Sequence, residues 1–146
     1  MALTDQEKLS YAWNWFEYHA AQRLLAFRYF LVFIGILLVA YNSGLDSKNL
    51  MFASATAYIG SFVSLAFLVL EFRNEELVNI GREALKEIEH SDSVGLDTSS
   101  RLRLLTLDRT RSRLKSHKLW LRIIYVLCIV AFFAAGYWPN FFFAQQ

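Results

Sequence analysis

The run LMFASATAYIGSFVSLAFLVL, Leu50 to Leu70, holds 21 residues without one charged side chain; it opens after Lys48 and Asn49 and closes on Glu71 and Arg73. At about 1.5 Å rise per residue this makes roughly 31 Å of helix, the thickness of a hydrocarbon core of about 30 Å. We read it as a transmembrane helix rather than the core helix of a soluble domain, because two more apolar runs flank it. Inside it Ser54, Ala57, Ser61 and Ser64 recur at spacings of three, four and three, which places them on one helical face. Lipid tails offer helices no hydrophobic reason to associate, so small residues and hydroxyls mark a packed side. Two readings of that face stay open: a helix–helix contact, or, in an assembly of several copies, the lining of a water-filled path.

On the N-terminal side, residues 24–41 form a first span, interrupted only by Arg28, whose guanidinium can snorkel to the phosphates at the cytoplasmic end. Asn42, Ser43 and Gly44 are expected to stop that helix, and the short link to Leu50 makes spans one and two an antiparallel hairpin. Before the span, Thr4 and Glu7 have the spacing of a capping box. A helix over 4–23 then carries Tyr11, Trp13, Trp15, Phe16, Tyr18 and His19, amphipathic rings suited to the headgroup layer. It is expected to lie at the interface; the competing view packs these aromatics on the cytosolic helices. His19 and Arg23, four apart on one face, read as a snorkelling pair or as a polar pair at a pore mouth.

On the C-terminal side, helical spacing continues from Glu71 to His90, with Phe72, Leu77, Ile80, Ala84, Leu85 and Ile88 on the apolar face. Ser91 to Thr98 reads as a turn, and Ser99 or Ser100 caps a second arm, so that 71–90 and 99–118 fold as a cytosolic antiparallel hairpin. Residues 71–92 hold seven acids against three bases, whereas 101–122 hold eight bases against Asp108 alone. An acidic arm thus faces a basic one, which sets partner choice more than stability, since exposed pairs are worth only about 0–1 kcal/mol. Arg101, Arg103, Arg109, Arg111, Arg113, Lys115, His117 and Lys118 leave surplus positive charge for phospholipid, nucleic acid or another protein. Residues 119–138 make the third span with Arg122 at its inner edge, and 139–146 an external tail with Phe141, Phe142 and Phe143 in an aromatic collar.

Composition bounds the rest. Hydrophobic residues make up 55% and aromatics 16% of 146 residues, above the level of a soluble globule. With one proline and no alternating strand segments, the chain is expected to be an all-α integral membrane protein forming one module, residues 1–146. Cys128 is the only cysteine, so no intrachain disulfide forms, and His19, His90 and His117 lack a ligand pattern, so neither a metal site nor a cofactor is expected. Met1 to Tyr18 lacks the basic and apolar regions of a secretory signal, and the first apolar segment is expected to stay on as an anchor. Walker, dinucleotide and His-Glu-x-x-His motifs are absent, which argues against an enzyme.

Two resemblances follow from particular residues. Arg111 and His117, separated by five residues, resemble the loose motif of HEPN ribonucleases, which would imply RNA cleavage; retention of positive charge in the cytoplasm explains the same arginines. The stretch His19-Ala20-Ala21-Gln22-Arg23, the run Phe72-Arg73-Asn74-Glu75-Glu76-Leu77-Val78 after span two, and a basic helix carrying Arg111 and His117 resemble small bacterial membrane proteins encoded beside anti-phage systems. These include the membrane accessory of type VI-B CRISPR loci and the membrane subunit of RADAR-type operons. The resemblance implies a homo-oligomer and, in some members, a pore that perturbs the inner membrane during infection. Ser54, Ala57, Ser61 and Ser64 would then face the assembly, with Arg23, Arg28 and Arg122 at its cytoplasmic mouth. The alternative is an adaptor that tethers a soluble effector through the charged hairpin.

Fourteen of the fifteen Lys and Arg residues lie on one side, counting Arg28 and Arg122 at the inner edges of spans one and three; Lys48 alone lies on the other side. The positive-inside rule therefore places the N-terminus and hairpin in the cytoplasm of a bacterial inner membrane and the C-terminus outside. An impermeant reagent directed at a tag after Gln146 should label permeabilised-outer-membrane cells without lysis; labelling only after lysis would refute three spans in this orientation.

Overall fold

A computed structural model of the chain describes residues 4–90 and 117–139, and among them every regular element is an α-helix. Three are present: α1, Asp5–Asp46; α2, Leu50–His90; and α3, His117–Tyr137. Each is long and apolar enough to cross a membrane. The arm over 99–118, apart from its last two residues, the turn over 91–98 and the tail after 139 lie outside the described residues.

The N-terminus of α1 is fastened as the sequence indicates. Thr4 donates its backbone N–H to Glu7 Oε2 at 2.7 Å and its hydroxyl to the same oxygen at 2.8 Å, while the Glu7 amide donates to Thr4 Oγ1 at 3.4 Å. These reciprocal bonds satisfy amides that a helix start leaves over. The Thr4 donors hold the Glu7 carboxyl below its ordinary value of 4.5. A depressed carboxylate contributes above its unfolded pKa, and that contribution fades as the pH falls through the folded one.

Two expectations about α1 are corrected. No separate interfacial helix occupies 4–23, because the helix runs unbroken through Arg23 and Leu24 into the apolar segment. Nor does it stop at Asn42, Ser43 and Gly44: it continues to Asp46. Gly44 is buried, and a Cβ there would come within 2.9 Å of Phe52 and 3.0 Å of the Ala53 nitrogen. Its hydrogen side chain admits α2 to close range, so a residue that reads as a helix stop serves as a packing residue.

The real stop lies three residues on. The Asn49 amide bonds to Gly44 O and the Lys48 amide to Leu45 O, both at 2.9 Å, the paired bonds of a Schellman terminus. Its left-handed position is taken by Lys48, with φ 56°. Asn49 then caps the next helix, accepting the Phe52 amide on Oδ1 at 3.1 Å. One asparagine closes α1 and opens α2, which reverses the chain within three residues and forces the two helices antiparallel. Past Leu70, α2 continues as one helix to His90.

By contacts the chain forms two compact units, one of residues 1–24 and 72–116, the other of 25–71 and 117–146. In the first, Ala12 of α1 and Val78, Gly81 and Leu85 of α2 are buried. Trp15 donates its indole N–H to Leu77 O at 3.1 Å. A Cβ on Gly81 would meet Trp15 at 2.9 Å and Phe16 at 3.2 Å. Trp15 and Phe16 thus pack on the second helix, the competing placement considered above, while Tyr11, Trp13 and Tyr18 stay exposed.

The second unit is a three-helix bundle running up, down, up. Phe30 and Tyr125 meet edge to face at 4.6 Å and are fully buried, Leu121 is buried beside them, and Phe67 of α2 closes on Phe30 at 5.5 Å. A second cluster joins Tyr41, Ala53, Ala57 and Phe132. The outward faces carry Val32, Ile36, Val39, Ile59, Phe62, Val126, Val130 and Phe133, an apolar exterior that water does not favour and lipid does.

A non-glycine residue in the left-handed region costs about 1–2 kcal/mol. Lys48→Gly should therefore raise stability in detergent unfolding by about 0.5–1 kcal/mol, some of the relief being offset by the freer unfolded chain. A loss of stability would contradict the Schellman assignment.

Candidate functional site

The small-residue face of α2 is where the sequence placed its strongest candidate, and the structure shows what touches it. Ala57 and Ser64 are fully buried, at 0% exposure, while Ser54 and Ser61 are half-buried. Ala57 lies in the cluster with Tyr41 and Phe132. Ser61 donates its hydroxyl to Ile129 O of α3 at 3.3 Å, and Ser64 returns its hydroxyl to Gly60 O of its own helix at 2.8 Å. These contacts are all made within the chain.

Residues that sequence reasoning passed over complete the seam. Gly60 is buried between Ala57 and Ser64, and a Cβ on it would lie 2.6 Å from the Phe132 ring. Gly136 receives Tyr58, whose ring would stand 3.1 Å from an added Cβ. Tyr41 donates its phenol to Ala135 O at 3.4 Å. The spacing of Ala53, Ala57, Gly60 and Ser64 carried the signal, since Ala53 and Gly60 each stand one residue before Ser54 and Ser61 and widen the same stripe along one flank. Tyr41 gave no comparable signal, as an aromatic near a span end reads equally well as an interface residue.

The basic edge residues divide between the units. Arg23 is half-buried in the first unit; in the second, Arg28 is exposed and Arg122 half-buried. His19, half-buried, has its ring 4.6 Å from Trp15 and 5.2 Å from Tyr18, so it sits in an aromatic setting. Glu71, which from sequence only closed the apolar run, is buried at 3% exposure. Arg101, Arg103, Arg109, Arg111, Arg113 and Lys115 lie outside the described residues, as do the side chains of His117 and Lys118.

No protein-family model matches the chain, and no solved structure does. Among curated proteins the chain is similar to CD-NTase-associated protein 19 of Escherichia coli, with 28% identity over 104 residues, 70% of this chain and 66% of that protein. The matched stretch thus spans about two thirds of the relative's length.

The seam predicts an order of sensitivity. Gly60→Val should destabilise the bundle by about 1–3 kcal/mol through overpacking against Phe132, whereas Ser61→Ala, which removes one interhelical hydrogen bond, should cost about 0.6 kcal/mol. Unfolding in mixed micelles measures both, and the reverse order would contradict the packing described.

Proposed function

We propose that this chain is an integral protein of the bacterial inner membrane that acts in anti-phage defence, self-associating to permeabilise or depolarise the membrane and performing no enzymatic chemistry itself. The supporting observation is the 104-residue similarity to a CD-NTase-associated protein, which agrees with the defence-operon setting that the sequence layout resembles. Three helices of spanning length and apolarity support residence in a bilayer, and the Lys and Arg distribution supports an inward N-terminus and an outward C-terminus.

The packing bears on how a path would form. Because Ala57 and Ser64 are interior, a conducting path either runs between copies or opens when α2 parts from α1 and α3. The described arrangement is then the closed form. Arg23, Arg28 and Arg122, at the inner ends of the first and third apolar segments, hold phosphates at the inner leaflet. The basic segment from Arg101 to Lys118 receives the activating partner, a soluble effector or its nucleic acid.

A second reading is favoured by one observation. The hydroxyl face of α2 packs inside the chain's own bundle, as the Ser61 bond to Ile129 O illustrates, so the helices suit a passive anchor. The protein is then an adaptor that holds a soluble effector at the membrane.

Potential-sensitive dye in cells expressing the chain with its neighbouring defence genes separates the two. Depolarisation on phage challenge, lost when the chain is deleted and restored by it alone among membrane components, is expected for the first reading. A membrane potential that holds while the effector becomes membrane-bound would overturn it in favour of the adaptor.

A further inference from the structure

Among the described side chains Glu71 is the only charged one that is buried, at 3% exposure. It stands at the inner end of the second unit, directly after the uncharged run of α2. A carboxylate withdrawn from water is costly unless an opposite charge and hydrogen-bond donors surround it. The seam between α2 and α3 supplies both.

Two contacts fix how these helices are aligned: Ser61 donates to Ile129 O at 3.3 Å, and Gly60 lies against the Phe132 ring. Carrying that antiparallel register inward along both helices brings Glu71 level with residues 119–121 of α3, beside Arg122. Phe67 and Leu68, one turn outward of Glu71, pack on the cluster of Phe30, Leu121 and Tyr125, so this face of α2 is turned toward that cluster. Side chains lean toward the N-terminus of their own helix. In antiparallel helices the Glu71 carboxylate therefore leans outward and the Tyr125 phenol inward, and the two converge. Tyr125 is 1% exposed, and a phenol so deeply buried needs a partner for its O–H.

The countercharge follows by position. Of the described cationic side chains in this unit, Arg28 is exposed and Lys48 sits at the outer end, whereas Arg122 is half-buried and precedes Tyr125 by one turn. Phe27, the α1 residue that packs on the same cluster, is apolar. Glu71, Arg122 and Tyr125 each have an interaction partner.

We infer that the Glu71 carboxylate, the Tyr125 hydroxyl and the Arg122 guanidinium form a polar latch that ties α2 to α3 at the inner end of the bundle. Tyr125 donates its O–H and Arg122 its N–H groups to the carboxylate, and the exposed part of the guanidinium keeps donors for phosphates. The inference rests on the closed form proposed above and names what holds it shut. Parting α2 from α3 strands Glu71 in apolar surroundings until water or a cation reaches it.

The test uses the full chain in liposomes and its native thiol. Cys128 is half-buried against both clusters of the second unit, so its rate of labelling by a membrane-permeant maleimide reports the tightness of the seam. Glu71→Arg and Arg122→Glu should each speed labelling about tenfold, and the two together should return it to within about twofold of the native rate. Tyr125→Phe should speed it about threefold. Combining Glu71→Arg with Arg23→Glu should bring no such return. Single variants that label at the native rate, a double variant without rescue, or rescue through Arg23 in place of Arg122 overturns the latch. Dye release from the same liposomes is read in parallel: faster labelling without release keeps the latch and removes the parting of α2 as the conducting step.

Discussion

Close approach between helices in the second unit depends on what α2 lacks. Where Phe132 crosses Gly60 there is no room for a methyl group, since an added Cβ would stand 2.6 Å from the ring. In lipid the hydrophobic effect does not press helices together, so fit and hydrogen bonds hold the seam. Ala53, Ala57, Gly60 and Ser64 keep α2 narrow on one side, and the bulk comes from the partners: Tyr41 on α1, Tyr125 and Phe132 on α3. The division of labour between one slender helix face and its aromatic partners lets the middle of the bundle present a mainly apolar exterior while the Ser61 and Ser64 hydroxyls turn inward.

Much of this fold was legible because charge and length carry it. The apolar-to-polar switches at 23/24 and 70/71 fall within a residue of the division between the two compact units, since the residues that avoid water also choose each other as neighbours. The capping box at Thr4 and Glu7 was readable because it is local in sequence. The end of α1 was not. Asn42-Ser43-Gly44 has the composition of a stop, yet tertiary packing of Gly44 on Phe52 and Ala53 outweighed that weak local preference. The left-handed residue turned out to be Lys48, which has no sequence signature for that role.

The candidate site was half legible. Periodicity located the small-residue face on α2, but periodicity alone does not say whether its partner is a neighbouring helix or another copy of the chain. The aromatic N-terminal segment illustrates the same ambiguity from the other side: rings that suit a membrane interface equally suit a helix groove, and Trp15 takes the groove with its indole on Leu77 O. Chemistry shared by two environments is decided by geometry, which the sequence pattern does not contain.

All of the functional reading rests on a bilayer as the solvent for the three long helices. Alkaline carbonate extraction of membranes from cells producing the chain addresses that directly. Retention of the protein in the membrane pellet at high pH is the result this account predicts; release into the supernatant, free of lipid and detergent, would contradict it.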